Sequence, residues 1–233
     1  MADVIYIKYN RTRKEEFQIK TEILEEDGTK WVEKSALTEA GKAHIRSFQD
    51  KYEALKKQHV NIQAAEPEIS EDGKTARFAY LTGKTLAEVL GENIASGQAP
   101  VEAIREVLGK ICEVYPEYLS PFAITDRLTE VFGPVPKFRD QAMAVSNIDA
   151  LLENILVTEK GWYFLDYEWV YDFPVPLGFV KYRILFYFYR KYASLMEYAG
   201  PEEFLKEFGM DEELSEAYGD METAFQSYVH GDN

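Results

Sequence analysis

The sequence predicts an α+β fold of two lobes, because strand patterns fill its first eighty residues and helical patterns dominate the rest. Residues 4–9, 17–24 and 30–37 are rich in β-branched and aromatic side chains. The turn signal at 25–28 separates the second and third of these runs. Three strands joined by short connections predict an antiparallel meander.

A change of period then marks one helix within this strand-rich part. Residues 38–58 carry apolar side chains at helical spacing, and strand-like runs follow at 60–64 and 76–81. The predicted lobe boundary follows Leu81, so we expect a β-rich N-lobe at 1–81 and a mainly helical C-lobe at 82–233.

The predicted C-lobe contains long helical patterns and one short hairpin. Helical spacing covers 85–96 and 101–115, and the almost wholly apolar run 179–198 predicts a buried helix. Residues 154–157 and 162–166 are short apolar runs on either side of a turn, which predicts a hairpin. The acidic tail from 201 to 233 is predicted to be helical.

Composition narrows the classes of function. The formal net charge of −15 and the pI of about 4.7 argue against nucleic acid as a general partner, since both surfaces would be negative. The single cysteine, Cys112, excludes an intramolecular disulfide and predicts a small core residue. The sequence shows no signal peptide pattern and no membrane span, so we expect a cytoplasmic protein.

The chemically informative residues are two aspartates and an asparagine. Asp149 is followed five positions later by Asn154, which precedes the apolar run Ile-Leu-Val. Asp166 stands at the end of the next apolar run. An acidic turn before an ordinary hairpin would need no such spacing, so the pattern favours a functional site.

This spacing, within this order of elements, resembles the catalytic loop and metal-binding segment of the protein-kinase-like superfamily. The resemblance points to its small-molecule branch, with the aminoglycoside and choline phosphotransferases. It looks closest to kinase-like domains of bacterial polysaccharide-assembly proteins, which are sometimes fused to methyltransferases or glycosyltransferases. It implies a bilobal kinase-like fold, with an antiparallel β-sheet N-lobe holding one helix and a mainly helical C-lobe.

The resemblance implies ATP and Mg²⁺ as cofactors. Asp149 would be catalytic and orient the acceptor hydroxyl, while Asn154 and Asp166 would hold the metal. The pattern departs from the family at two places. Asn147 stands where the family has histidine, and the glycine-rich phosphate loop is replaced by the basic segment 10–14. The segment could cover phosphates by the charge of Arg11 and Arg13, or it could equally be a solvated hairpin turn.

Further residues follow from the same resemblance. Lys34 takes the position of the third-strand lysine that pairs with phosphates, and Glu53, in preference to Asp50, is expected to hold it. Tyr80 and Leu81 resemble the hinge that meets an adenine edge. Asp172 is a candidate brace for the catalytic loop. The three histidines, which show no metal spacing, are expected to be surface or helix residues: His44, His59 and His230.

Two functions remain open at this point, beside a third interpretation, an α+β domain without a nucleotide site. One is an active ATP- and Mg²⁺-dependent phosphotransferase acting on a hydroxyl of a small molecule or saccharide. The other is a catalytically inactive kinase-like module that binds nucleotide or serves as a scaffold. The retained Lys34, Asp149, Asn154 and Asp166 favour the first, whereas Asn147 and the missing glycine loop favour the second.

Overall fold

The computed structural model describes residues 2–231. In chain order, its N-terminal part contains β1 (Asp3–Tyr9), β2 (Ile19–Glu26), β3 (Thr29–Ala36), α1 (Lys42–Gln58), β4 (Ile62–Ala64), β5 (Pro67–Ile69) and β6 (Thr75–Ala79). Five of these strands form one antiparallel sheet in the order β1-β2-β3-β6-β5. Strand β1 is therefore an edge strand of that sheet.

The turn between β2 and β3 explains why these residues form a hairpin. Asp27 and Gly28 both have positive φ, at 51° and 77°. A two-residue turn with two positive φ angles matches the right-handed twist of paired strands. The pairing then runs without a break from Glu26↔Thr29 to Ile19↔Ala36.

Helix α1 packs against this sheet through one apolar stripe. The buried side chains of this stripe are His44, Ile45, Phe48, Tyr52 and Leu55. Phe48 lies edge-on to Phe78 of β6, with ring centroids 5.6 Å apart. The helix begins at Lys42 rather than at residue 38, and the Thr38 hydroxyl accepts a hydrogen bond from the amide of Gly41 at 3.0 Å.

The remainder of the chain is mainly helical, with short strands. Its elements are β7 (Lys84–Thr85), α2 (Leu86–Ala95), α3 (Pro100–Ile111), β8 (Leu119–Pro121), α4 (Asp126–Phe132), β9 (Gln141–Met143), β10 (Ser146–Asn147), β11 (Ile155–Thr158), β12 (Gly161–Phe164), β13 (Val170–Tyr171), α5 (Leu177–Tyr192), α6 (Pro201–Lys206) and α7 (Glu212–His230). Within residues 2–231, no helix is both long and apolar enough to cross a membrane.

A second sheet connects the two parts of the chain. Its order is β4-β12-β11-β7, and β4 pairs parallel with β12. The predicted hairpin is present as β11 and β12, paired from Ile155↔Phe164 to Thr158↔Gly161. Strand β4 lies before residue 81 and pairs with β12 after it, so contacts cross the predicted lobe boundary. The division at residue 81 stays a prediction.

The end of α7 contacts the connection between β1 and β2. The amide of Lys14 donates to the carbonyl of Val229 at 2.9 Å, and Nδ1 of His230 lies 3.0 Å from the carbonyl of Thr12. The ring centroids of Phe17 and Tyr228 lie 5.5 Å apart. Helix α7 therefore packs directly against the connection between β1 and β2.

The predicted α+β architecture is confirmed: an antiparallel N-terminal sheet with one helix precedes a mainly helical part. Several short elements were not predicted, among them β5, β8, β9 and α4. These are three to seven residues long, and such short runs carry little periodicity. The predicted helix at 179–198 ends at Tyr192.

Candidate functional site

The buried ammonium of Lys34 marks the centre of the candidate site. This residue is 4% exposed. Its Nζ donates to Oε1 of Glu168 at 2.7 Å and to Oδ1 of Asp166 at 3.1 Å. Burial alone would lower the pKa of Lys34, but the Asp166 and Glu168 carboxylates outweigh it and raise that pKa above its usual value. Lys34 is therefore held as a cation.

Glu168 lies among several basic side chains. It is 2% exposed, and its Oε2 accepts from Nη1 of Arg13 at 2.5 Å and lies 3.7 Å from Nε2 of His44. Lys51 donates to its backbone carbonyl. Burial would raise the pKa of Glu168, but Lys34, His44 and Arg13 hold it well below its usual range. The carboxylate is ionised and organises this side of the site.

Hydrogen bonds from two asparagines fix the loop that carries Asp149. The amide of Asp149 donates to Oδ1 of Asn147 at 3.0 Å, and Nδ2 of Asn154 donates to the carbonyl of Asp149 at 3.0 Å. Asn147 is 1% exposed. Its side chain thus accepts a hydrogen bond that holds the loop.

The carboxyl groups of Asp149 and Asp166 influence each other. Burial, followed by the charge of Asp166, raises the pKa of Asp149 to about 7. Burial also raises the pKa of Asp166, and Lys34 opposes this. Nη2 of Arg183 lies 3.8 Å from Oδ1 of Asp149, and its Nη1 pairs with Glu222 at 2.8 Å. The charge of Asp166 therefore acts on the carboxyl group of Asp149, which Arg183 also approaches.

The side chains of Asn154 and Asp166 fit the donor set that Mg²⁺ takes in a nucleotide site. Asn154 uses its nitrogen on the loop carbonyl, which leaves its amide oxygen as the ligand atom. The side chain of Asp166 is 39% exposed, although Lys34 contacts one of its oxygens. Within residues 2–231, no three His, Cys, Asp or Glu side chains form a group that could hold a metal alone. Mg²⁺ commonly keeps waters and takes phosphate oxygens beside one or two carboxylates, so this donor set suits it.

The predicted hinge residues line an open cavity of about 590 Å³. Tyr80 is 40% exposed and Leu81 is half-buried. Gly83 lies so close to β11 that an added Cβ would clash with the carbonyl oxygen of Val157. Only glycine allows this approach of the two backbones, and it places the segment after β6 against the hairpin.

The two predicted arginines lie in different places. Arg13 reaches the Glu168 carboxylate, whereas the guanidinium of Arg11 lies over the ring of Tyr9 at 4.5 Å. Arg11 is exposed. Within residues 2–231, Arg13 therefore contacts the Glu168 carboxylate, whereas Arg11 contacts Tyr9.

The prediction that Glu53, in preference to Asp50, holds Lys34 is wrong. Lys34 pairs with Asp166 and Glu168, and neither Glu53 nor Asp50 takes that role. The α1 side chains that face this region are His44 and Lys51, seven residues and about two turns apart. Successive residues of a helix are rotated by about 100°, so Glu53, two residues beyond Lys51, points to another side of the helix. Burial lowers the pKa of Lys51 to about 8.

Other expectations also need correction. His44 is a helix residue of α1, as one alternative expected, and it is buried at 8% exposed. His59 follows the end of α1 and is buried at 7% exposed, so it is not a surface residue. Asp172 does not brace the catalytic loop, because it pairs on the surface with Arg127 at 2.6 Å. Sequence reasoning missed Glu168, although the Asp-x-Glu spacing could have revealed it. Residues two apart in an extended segment project to the same face.

Comparisons with known proteins find similarity only among solved structures. No family model and no curated protein sequence matches the chain. A macrolide 2′-phosphotransferase from Brachybacterium faecium has 13% identity and a TM-score of 0.40, with 97% of this chain and 93% of that chain covered. A thermostable mutant of an aminoglycoside phosphotransferase, in a ternary complex with ADP and hygromycin B, has 13% identity and a TM-score of 0.41, with 97% and 95% covered. A choline kinase from Streptococcus pneumoniae has 14% identity and a TM-score of 0.38, with 91% and 83% covered. At this level of similarity the comparisons do not assign the chain to a family.

Proposed function

We propose that this chain is an ATP- and Mg²⁺-dependent phosphotransferase that acts on a hydroxyl group of a small molecule or saccharide. One observation carries the proposal: Lys34 meets Asp166, which lies 132 residues away in the sequence, beside the loop that carries Asp149 and Asn154. A cation, two acids and an amide brought together in this way form the charge arrangement that phosphoryl transfer needs.

Each residue then has a role that follows from its chemistry. Lys34 and Arg13 neutralise phosphate oxygens, while Asn154 and Asp166 hold Mg²⁺. The metal, when bound, would neutralise charge on the phosphates. Asp149 accepts the proton of the acceptor hydroxyl, and its pKa of about 7 suits a base that works near neutral pH. Tyr80 and Leu81 contact the nucleotide base.

The sequence resemblance alone supports the finer parts of this proposal. It favours a saccharide acceptor in polysaccharide assembly, a cytoplasmic location, and association with glycosyltransferase or methyltransferase modules. The acidic surface, with a formal charge of −15, agrees with a small-molecule acceptor rather than nucleic acid.

A nucleotide-binding module without catalysis is the second candidate. The observation that favours it is the neutralisation of both Lys34 and Arg13 by the protein's own Glu168. Arg183 also lies 3.8 Å from Asp149, where a base would be needed. In that case nucleotide binding would persist without turnover.

Calorimetric titration with ATP, with and without Mg²⁺, tests the common part of both candidates. The wild type should bind in the presence of Mg²⁺, and Asp166→Ala should lose that binding while keeping its fold. Asp172→Ala is the matched control, because this aspartate pairs with Arg127 on the surface. Equal affinities of wild type and Asp166→Ala would remove Asp166 from the metal site. Absence of binding by the wild type would refute the proposed function.

A further inference from the structure

Strand β1 exposes an unusual amount of apolar surface. All seven of its residues are exposed, and its large apolar side chains have exposed fractions of 43–54%. These side chains are Val4, Ile5, Tyr6, Ile7 and Tyr9. Within the described residues, β1 pairs with β2 on one side only. An apolar edge strand of this kind tends to pair with another strand.

The pairing register shows which side chains of β1 share a face. Tyr6 and Lys8 pair with Ile23 and Thr21, which in turn pair with Val32 and Lys34. Directly opposed residues of antiparallel strands project to the same side, so Tyr6 and Lys8 share the face of Lys34.

An irregularity at Ile5 then changes the alternation. The register shifts between Val4 and Tyr6, so Asp3 pairs with Glu25 and Val4 with Leu24. Asp3 therefore lies on the same face as Lys8, although an unbroken strand would place them on opposite faces. Val4 and Ile7 share the other face by the same reasoning.

We propose that β1 is the interface of a symmetric dimer, in which the β1 strands of two copies pair antiparallel. A two-fold axis perpendicular to the sheet, between Ile5 and Tyr6, sets Asp3 opposite Lys8 of the second copy and Val4 opposite its Ile7. Each pair occurs twice, and each joins side chains on the same face. The strand is thus complementary to itself in charge and in apolar character, as an isologous interface requires.

The exposed area is sufficient for such an interface. The two tyrosines each bury about 150–250 Å² when fully covered, so half-exposed they offer roughly 200 Å² per copy, and Val4, Ile5 and Ile7 add smaller areas. Two copies together suit a weak, reversible interface, of the class that buries less than about 1,200 Å². Main-chain hydrogen bonds between the two strands would add to the apolar contact. The dimer does not depend on the proposed phosphotransferase activity.

Sedimentation velocity of the full chain, over a wide range of concentrations, tests the dimer. We expect a reversible monomer–dimer equilibrium for the wild type. Ionic strength should be about 0.15 M, where the Debye length of about 8 Å screens repulsion between two acidic copies. Ile7→Lys should raise the dissociation constant of the dimer roughly tenfold or more, because the two-fold axis places each lost contact in the interface twice. Val60→Lys is the control, since Val60 is also 43% exposed but lies outside β1.

A charge exchange tests the register itself. Lys8→Glu alone places a carboxylate opposite Asp3 of the other copy, twice in the dimer, and should weaken the dimer by a similar factor. Adding Asp3→Lys restores opposite charges and should recover the wild-type affinity. Circular dichroism checks that each variant is folded. If Ile7→Lys does not fold, the two charge variants still test the dimer. The proposal is overturned if the wild type stays monomeric at every concentration. It is also overturned if the double variant dimerises no more tightly than Lys8→Glu. A partner of another sequence on β1 would give that monomeric result.

Discussion

Lys34 of β3 and Glu168, two residues beyond Asp166, form an ion pair of 2.7 Å that is almost closed to solvent. The same carboxylate also holds Arg13 at 2.5 Å. Two segments of the N-terminal part are thereby attached to the segment that carries Asp166. The pair therefore joins the N-terminal sheet to the segment of Asp166 and places charge beside that aspartate.

Replacing Glu168 by glutamine should destabilise the protein. Breaking a buried pair by removing one partner costs about 3–5 kcal/mol, and we expect the lower end because Asp166 stays beside Lys34. Urea unfolding measures the loss. Glu92→Gln is the matched control: its partner Lys84 is 60% exposed, so the change should stay below about 1 kcal/mol. Equal losses for both variants would contradict the structural role of Glu168.

Asp149→Asn should separate binding from turnover. The affinity for Mg-ATP should change little, since Asp149 addresses the acceptor in our proposal. ATP hydrolysis, with water as the acceptor, should fall by about 10²–10⁴-fold, as is typical when a general base is lost. A wild type that binds Mg-ATP yet hydrolyses it no faster than the variant, with any sugar or polyol tried, would favour the module without catalysis.

The raised pKa of Asp149 predicts opposite trends for turnover and stability with pH. Turnover should increase as pH rises through about 7, because the ionised carboxylate is the base. The folded protein holds this proton between about pH 4 and 7, where the unfolded chain has released it, so the contribution to stability declines as pH rises through that window. The stability of wild type relative to Asp149→Asn, from urea unfolding at several pH values, should follow this decline. A constant difference would show an ordinary pKa.

Asn147→Ala should loosen the loop of Asp149. The variant leaves the amide of Asp149 without its acceptor, which costs about 1–3 kcal/mol if the amide stays buried. Turnover should fall together with stability. In Asn61→Ala, which removes an exposed bond to Glu113, both should remain near wild type. Unchanged turnover in Asn147→Ala would show that Asn147 does not orient the loop.

The thiol of Cys112 should react slowly. Cys112 is half-buried, and this partial burial raises the pKa of its thiol to about 11. Only the thiolate attacks a disulfide reagent. Labelling with a coloured aromatic disulfide at about pH 8, below the usual thiol pKa, should therefore be slow in the folded protein and fast in urea. A fast reaction in the folded state would contradict this assignment.

The sequence predicted the long elements better than the contacts between them. Periodicity identifies α1 and α5 because each presents several turns of buried side chains, and the hairpin of β11 and β12 has a clear turn at Gly161. The spacing of Asp149, Asn154 and Asp166 also selected residues that the fold brings together. Short strands such as β5, with three residues, leave no comparable pattern.

The Asp-x-Glu spacing places Glu168 on the face of Asp166, but it does not show which carboxylate pairs with Lys34. A carboxylate on α1 and one at 168 are equally compatible with the sequence, and only the rotation of α1 against the sheet decides between them. That rotation depends on packing of Phe48 against Phe78 and Tyr167, at centroid distances of 5.6 and 5.5 Å. Such packing involves residues far apart in the chain, which local patterns do not encode.

The contact between the end of α7 and residue 14 also governs the local stability around Arg13. Arg13 directly precedes Lys14, whose amide is bound to Val229, so the last helical turn holds the backbone next to the Arg13–Glu168 ion pair. Hydrogen exchange of native proteins reports the free energy at which such local contacts open. Protection of the Lys14 amide hydrogen against exchange with solvent would therefore measure how firmly the end of α7 holds this segment.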